Sequence, residues 1–378
     1  MNISRRNFLG GLSAGVALAA TPGCATPACT GSRQLPDWAN AQIDEAVARF
    51  KVWKGGEKTI SFTFFTDPHS HLEELPNEPD FSDSRFHTLF TQAVADRAGC
   101  DFLVDGGDHD YDFNGMTPEE GHPSDEGVTK RIAVTRSFYA DYSAKPVLFC
   151  MGNHDHGPAR PGGLKARPVS SSRFGDVFNG IAEEHGFKLV FGENRSWGWY
   201  DIPGKNFRAV FCNTSDEGYY GLSESQLGFI QKALDTLPEG WTCALFGHWC
   251  IFQEIGHWKS YEPDGMVKSE AAFRAMLEAF AKKRPNDLAG YFCGDSHFDN
   301  ELEWHGVNWT ISQGYGGVGR FDKPWGARRV EFDHGKAMLF ELVAVKPSVG
   351  EFKVFRVGAG GASCDRLCVY HNKFDNAR

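Results

Sequence analysis

The sequence predicts an α/β fold: a two-sheet α/β sandwich with helices on the outer faces. Apolar runs of strand length alternate with stretches of helical period through most of the body, and the last part turns to β-hairpins. Five short polar segments appear in order: Asp67-Pro68-His69, Gly107-Asp108, Gly152-Asn153-His154-Asp155, Gly247-His248 and Gly294-Asp295-Ser296-His297. Each follows an apolar run, so their side chains gather at the carboxyl ends of strands, where open α/β sheets form their ligand crevice.

The elements follow from the pattern. A leader is followed by a short helix over Trp38–Phe50, with Trp38, Ile43, Ala46, Val47 and Phe50 at its apolar positions. Strand Ile60–Thr66 leads to a helix near Ser84–Ala98, and strand Phe102–Asp105, after a polar insertion, to one near Thr129–Tyr142. Strand Val147–Met151 precedes the His154 loop and a helix near Phe174–His185. Strands over Lys188–Gly192, Trp197–Ile202 and Phe207–Asn213 come next, then a helix over Ser223–Leu237 with Ser223 as N-cap. Strand Cys243–Phe246, a helix near Ser269–Lys283 and strand Leu288–Cys293 complete the alternation. The remaining strands are expected over Glu301–Trp304, Asn308–Ser312, Ala327–Glu331, Ala337–Leu342 and Phe352–Phe355. The expected domains are 1–30 as export signal and leader, 58–345 as the globular domain and 346–378 as a C-terminal tail.

Composition sets limits. With 378 residues and 41% hydrophobic content, a full core can form, and 31 Phe make it Phe-rich. A formal charge of -10 argues against a basic footprint for nucleic acid, though not against a small phosphorylated substrate beside metal ions. At the N-terminus, Ser4-Arg5-Arg6-Asn7-Phe8-Leu9 and the weakly apolar Gly10–Ala20 resemble a twin-arginine export signal, with an ordinary secretory signal as the alternative. The run is shorter than the roughly 20 residues of a membrane-spanning helix. The expectation is export by the twin-arginine machinery to the periplasm or the extracellular space, with no transmembrane segment. Cys24 is a candidate lipid anchor, although Thr21 and Pro22 fit a lipobox poorly. The ten cysteines include no CxxC pair, which argues against a zinc ribbon; any disulfide pairing stays open.

Imidazoles, carboxylates and one carboxamide at adjacent strand ends suit a pair of divalent metals. In this order the five segments resemble the calcineurin-like metallophosphoesterase superfamily, over roughly Ile60 to Gly314. The resemblance implies one metal site from Asp67, His69, Asp108 and His297. It implies a second from the bridging Asp108 with Asn153, His248 and Asp295. Most relatives carry His where this chain has Asp295. A carboxylate there still suits a divalent ion and shifts preference from zinc toward manganese or iron; the alternative is that Asp295 does not ligate and the second site is weak. The family chemistry places two cations about 3.5–4 Å apart, where they neutralise the phosphoester and acidify a bridging water to hydroxide. By resemblance His154 is the general acid, and Asn153 also contacts a phosphoryl oxygen.

The resemblance thus implies a metal-dependent hydrolase of phosphate mono- or diesters with two divalent ions (Mn, Fe or Zn) and a small phosphoester substrate. A non-catalytic metal- or phosphate-binding module is the alternative, supported by Asp295 alone. The partner that orients His154 stays open between Asp155 and the Asp110-Tyr111-Asp112 stretch. Tyr111 also fits the purple acid phosphatase pattern, but that group lacks a counterpart of His69. His71, His109, His156 and His257 read as solvated loop histidines, with His71 and His109 also placed to support a ligand. Three insertions, Asp110–Asp125, Gly157–Arg173 and Phe252–Val267, are expected to hang over the crevice. The glycine-rich Gly314–Arg320 reads as a turn, with Arg320 a weak phosphate contact.

Overall fold

The computed structural model describes residues 35–69, 85–109, 132–133, 136, 145–156, 169–216, 220–251, 264–314, 328, 330 and 336–370. Among the described residues thirteen strands fall in chain order: β1 Ile60–Phe65, β2 Phe102–Asp105, β3 Val147–Phe149, β4 Val190–Phe191, β5 Gly198–Ile202, β6 Phe207–Phe211, β7 Thr242–Phe246, β8 Leu288–Cys293, β9 Asn300–Trp304, β10 Val307–Ile311, β11 Leu339–Lys346, β12 Glu351–Gly358 and β13 Arg366–Val369. The first sheet runs β13-β12-β11-β1-β2-β3 and the second β4-β5-β6-β7-β8-β10-β9. In each sheet the strands that lead into the polar segments pair in parallel, β1 with β2 and β2 with β3, then β6 with β7 and β7 with β8.

Strands buried on both faces read as unbroken apolar runs, which is why β1, β2, β7 and β8 were visible in the sequence; every residue of each is buried. The layer between the sheets is aromatic. Phe62 stacks on Phe102 at 4.9 Å and meets Phe246 and Phe292 edge-on at 5.1 and 5.6 Å. Such offset and edge contacts add roughly 0.5–1.5 kcal/mol each to the area they bury. Outside the first sheet, helix Asp37–Lys54 buries Ala39, Ile43, Ala46, Val47 and Phe50, and Phe50 reaches Phe355 of β12 at 5.9 Å. This helix precedes the expected domain start at 58, yet it packs into the same core as helix Arg85–Ala98. Outside the second sheet lie helices Glu224–Asp235 and Asp264–Lys283. The Ser223 hydroxyl caps the first, accepting the Gln226 N–H at 3.3 Å.

Residues 346–378, read as a tail, carry β12 and β13, the two outermost strands of the first sheet. They also carry the cations of a buried ion cluster. Arg356 donates to both oxygens of Asp299 at 2.6 Å and to Glu341 at 2.8 Å, and Arg366 reaches Glu341 at 2.9 Å. Asp299 lies two residues beyond His297, so the C-terminal strands steady the end of the fifth polar segment. The helix expected near Thr129–Tyr142, the strand Ala327–Glu331 and most of the three insertions lie outside the described residues. Among the described residues no helix is long and apolar enough to cross a membrane.

Candidate metal centre

Parallel register brings the strand ends level. Phe65 pairs with Asp105 and Asp105 with Phe149 in the first sheet; Phe211 pairs with Phe246 and Phe246 with Phe292 in the second. Past these positions the chain turns sharply. Asp67, His69, Asp108, Asp295 and His297 all adopt positive φ, between 44° and 63°. Left-handed backbone costs a non-glycine residue roughly 1–2 kcal/mol, so the fold holds these turns against their local preference. Backbone bonds between loops help, with Asp67 N–H on Gly107 O at 2.9 Å and His69 N–H on Asp108 O at 3.0 Å. Gly152 is required by close approach: a Cβ there would run into the Asp108 carboxylate.

The turns gather the candidate side chains. Asp108 Oδ2 lies 3.2 Å from His248 Nε2, 3.7 Å from His69 Nε2 and 3.8 Å from His154 Nε2. Asp67 Oδ1 lies 3.6 Å from His297 Nε2 and 3.9 Å from both His69 and His248 Nε2. His69 and His297 face each other, Nε2 to Nε2 at 3.3 Å, with parallel rings. Among the described residues the ligating atoms fall into overlapping groups: Asp67, His69 and His297; His69, Asp108 and His154; Asp67, Asp108 and His248. Asp295 stands outside these groups but close by, its Oδ1 3.5 Å from His248 Nε2 and its N–H on Asp67 Oδ2 at 3.0 Å. Asn153 is buried between Gly152 and His154 in the third loop.

The cluster is short of positive charge. Asp67 and Asp108 are fully buried, and among the described residues their cationic partners are histidines. Burial pushes the Asp67 carboxyl up, against the pull of His248 and His297. Burial also opposes ionisation of Asp108, but His248 and His154 outweigh it and hold Asp108 well below the usual carboxylate range. Burial lowers His248 while Asp108 and Asp67 raise it, and the carboxylates prevail, so it sits well above the usual histidine range. Burial takes His69 well below it. Asp67 Oδ1 is buried without a hydrogen bond. Carboxylates, neutral imidazole and an oxygen with no donor form the donor set that a hard or borderline divalent ion satisfies.

Other residues play parts the sequence did not disclose. Asp155, a candidate partner for His154, turns its carboxylate to the loop backbone, accepting N–H bonds from Asp108, His109 and Gly152 at 3.0, 2.7 and 2.7 Å. His109 is buried rather than solvated, with Nδ1 3.0 Å from Asp155 and Nε2 2.8 Å from Asp105. Burial opposes its protonation, but the two carboxylates raise it well above the usual range. His156 is also buried, its ring nitrogens on the carbonyls of Val169 and Ser215 at 3.0 and 2.7 Å. Tyr220 donates its hydroxyl to Asp295 Oδ1 at 3.1 Å. The only local hint of these was the presence of acids and histidines beside the motif residues. His71, Asp110, Tyr111, Asp112, His257 and Arg320 lie outside the described residues.

The sequence matches the calcineurin-like phosphoesterase profile over residues 60–299. The chain belongs to the calcineurin-like phosphoesterase family. A dimetal phosphatase from Danio rerio superposes with a TM-score of 0.51 at 13% identity, over 82% of this chain and 99% of its own. PhoD superposes at 0.49 and 13% identity, over 83% of this chain and 69% of its own. The purple acid phosphatase PPD1 of yellow lupin, Lupinus luteus, gives 0.47 and 14%, over 83% and 53%. At these identities the likeness speaks for the fold alone. No curated protein matches the chain. Membership implies a dinuclear divalent metal centre, and the donor set described above fits such a group.

Proposed function

We propose that the chain is a metal-dependent hydrolase of phosphate mono- or diesters. The observation that carries this reading is the convergence of Asp67, Asp108 and four histidines, with Asp108 Oδ2 within 3.8 Å of His69, His154 and His248. In this reading one ion is held by Asp67, His69, Asp108 and His297, and a second by Asp108, Asn153, His248 and Asp295. Divalent ions held by these residues would supply charge neutralisation for the phosphoryl oxygens and would make a water acidic enough to act as nucleophile at neutral pH.

The chain's own groups divide the remaining work. Asp108 is shared between the sites. Asn153 contributes a neutral oxygen, and its amide hydrogens contact a phosphoryl oxygen. His154 is the general acid toward the leaving oxygen; its side chain is 21% exposed whereas Asp108 is 1% exposed, so it stands on the solvent side where a substrate enters. The test is turnover of bis(p-nitrophenyl) phosphate and p-nitrophenyl phosphate with Mn²⁺, Fe²⁺ or Zn²⁺. Hydrolysis of at least one ester is expected. No turnover with any metal would leave a binding module in place of an enzyme.

We also propose export from the cytoplasm, supported by Arg5-Arg6 and the apolar Gly10–Ala20. Fusing residues 1–30 to a folded reporter should export it, and exchanging both arginines for lysine should retain it inside. Export that survives the exchange would reject the twin-arginine route.

A further inference from the structure

We propose that Asp155 is a positioning residue for Asp108, and that His109 fixes Asp155 in that task. The inference rests on the dinuclear reading above and concerns how this chain builds it. The Asp155 carboxylate receives four hydrogen bonds. Oδ2 takes the N–H of Asp108 at 3.0 Å, the N–H of Gly152 at 2.7 Å and Nδ1 of His109 at 3.0 Å, while Oδ1 takes the N–H of His109 at 2.7 Å. A carboxylate offers about four acceptor sites, and here the loops after β2 and β3 crowd three bonds onto Oδ2 and one onto Oδ1. The lock is reciprocal, because Asp108 Oδ1 accepts the N–H of His154 at 2.9 Å.

The consequence lies at the other oxygen. With Asp108 Oδ1 engaged inside the loop, Oδ2 is the atom aimed at His248, His69 and His154, at 3.2, 3.7 and 3.8 Å. Asp108 adopts a φ of 57°, a conformation its own sequence does not favour. The two amides gripped by Asp155, its own and that of His109, hold this turn.

His109 in turn is fixed from every side. Its Nε2 lies 2.8 Å from Asp105 Oδ1, which also accepts the Gly107 N–H at 3.1 Å. Phe178 stacks parallel to the imidazole at 5.3 Å, and Phe174 and Phe149 close the remaining faces at 5.6 and 6.0 Å. Phe178 comes from the π-helical turn Gly175–Asn179 and Phe174 from the residue before it. Far parts of the chain therefore converge on one buried ring whose visible task is to hold Asp155.

The experiment compares wild type with Asp155→Asn and His109→Gln. In Asp155→Asn one acceptor oxygen becomes an amide that meets an N–H. Metal-free protein is titrated with Mn²⁺ by calorimetry, the fold is checked by circular dichroism, and kcat and KM for bis(p-nitrophenyl) phosphate are measured at saturating Mn²⁺. Outer partners of ligands typically contribute 10–100-fold to metal affinity. The expected result is Mn²⁺ binding weakened by about that factor in Asp155→Asn and by less in His109→Gln, with kcat reduced more than KM is changed. A folded Asp155→Asn that binds Mn²⁺ as wild type does would overturn the proposal while leaving the dinuclear reading intact. If Asp155→Asn does not fold, His109→Gln decides in the same way. Wild type that binds no Mn²⁺ would overturn both the reading and this inference.

Discussion

The loops after β1, β2 and β3 and the loops after β7 and β8 meet at one cluster of side chains but are anchored by different chemistry. On the first sheet one carboxyl side chain, Asp155, accepts from three backbone N–H groups and meets the His109 ring. On the second sheet, the contacts nearest the ligands are single and partly borrowed from the first. His248 donates Nδ1–H to the Gly106 carbonyl at 2.8 Å, Asp295 donates its N–H to Asp67, and Tyr220 supplies one neutral hydroxyl to Asp295. Each hydrogen bond to a carboxylate contributes roughly 1.5–3 kcal/mol, so the halves differ in how many such bonds converge on one group among the described residues: four on Asp155, one on the Asp295 side chain from Tyr220. The loop that carries the shared Asp108 is therefore gripped beside the ligand itself, whereas the loop that carries Asp295 is braced farther on, at Asp299 by Arg356.

That contrast orders the consequences of substitution. His154, on the first sheet's half, should show the greatest change: His154→Ala is expected to lower kcat by roughly 10²–10⁴-fold for an ester with a poor leaving group. The loss should be smaller for p-nitrophenyl esters, and metal content by elemental analysis should stay at the wild-type level. Equal losses for both esters would place His154 elsewhere than at the leaving oxygen. On the second sheet's half, Asp295→His should keep turnover and move metal preference from manganese or iron toward zinc. Unchanged metal content and ranking would show that Asp295 is not a ligand. Tyr220→Phe removes one hydroxyl donor to the Asp295 carboxylate and leaves no buried N–H unpaired, so it should weaken metal binding less than Asp155→Asn does. A loss as great as that of Asp155→Asn would erase the distinction between the halves.

The sequence showed one of these anchoring systems far less clearly than the ligands themselves. The ligand segments were legible because each follows a strand buried on both faces, and such strands advertise themselves as apolar runs. His109 was read as a solvated loop residue because its local neighbours are polar. Its burial comes from Phe174 and Phe178, more than sixty residues on, which no local pattern reveals. Asp155 sits in a motif, yet three of its four bonds come from Asp108 and His109 of another loop. β13 escaped notice for a related reason: its burial inverts the usual pattern, with Arg366 buried and held by Glu341 while Leu367 and Val369 are exposed. In each case the deciding contacts are tertiary, and a single chain's pattern carries only local ones.

Metal content of the purified chain, measured by elemental analysis beside Asp108→Ala, examines the shared-carboxylate centre itself. Wild type should hold a pair of divalent ions per chain, and Asp108→Ala should lose both, because one side chain serves both sites. Wild type without bound metal, or Asp108→Ala that keeps the full pair, would contradict the account.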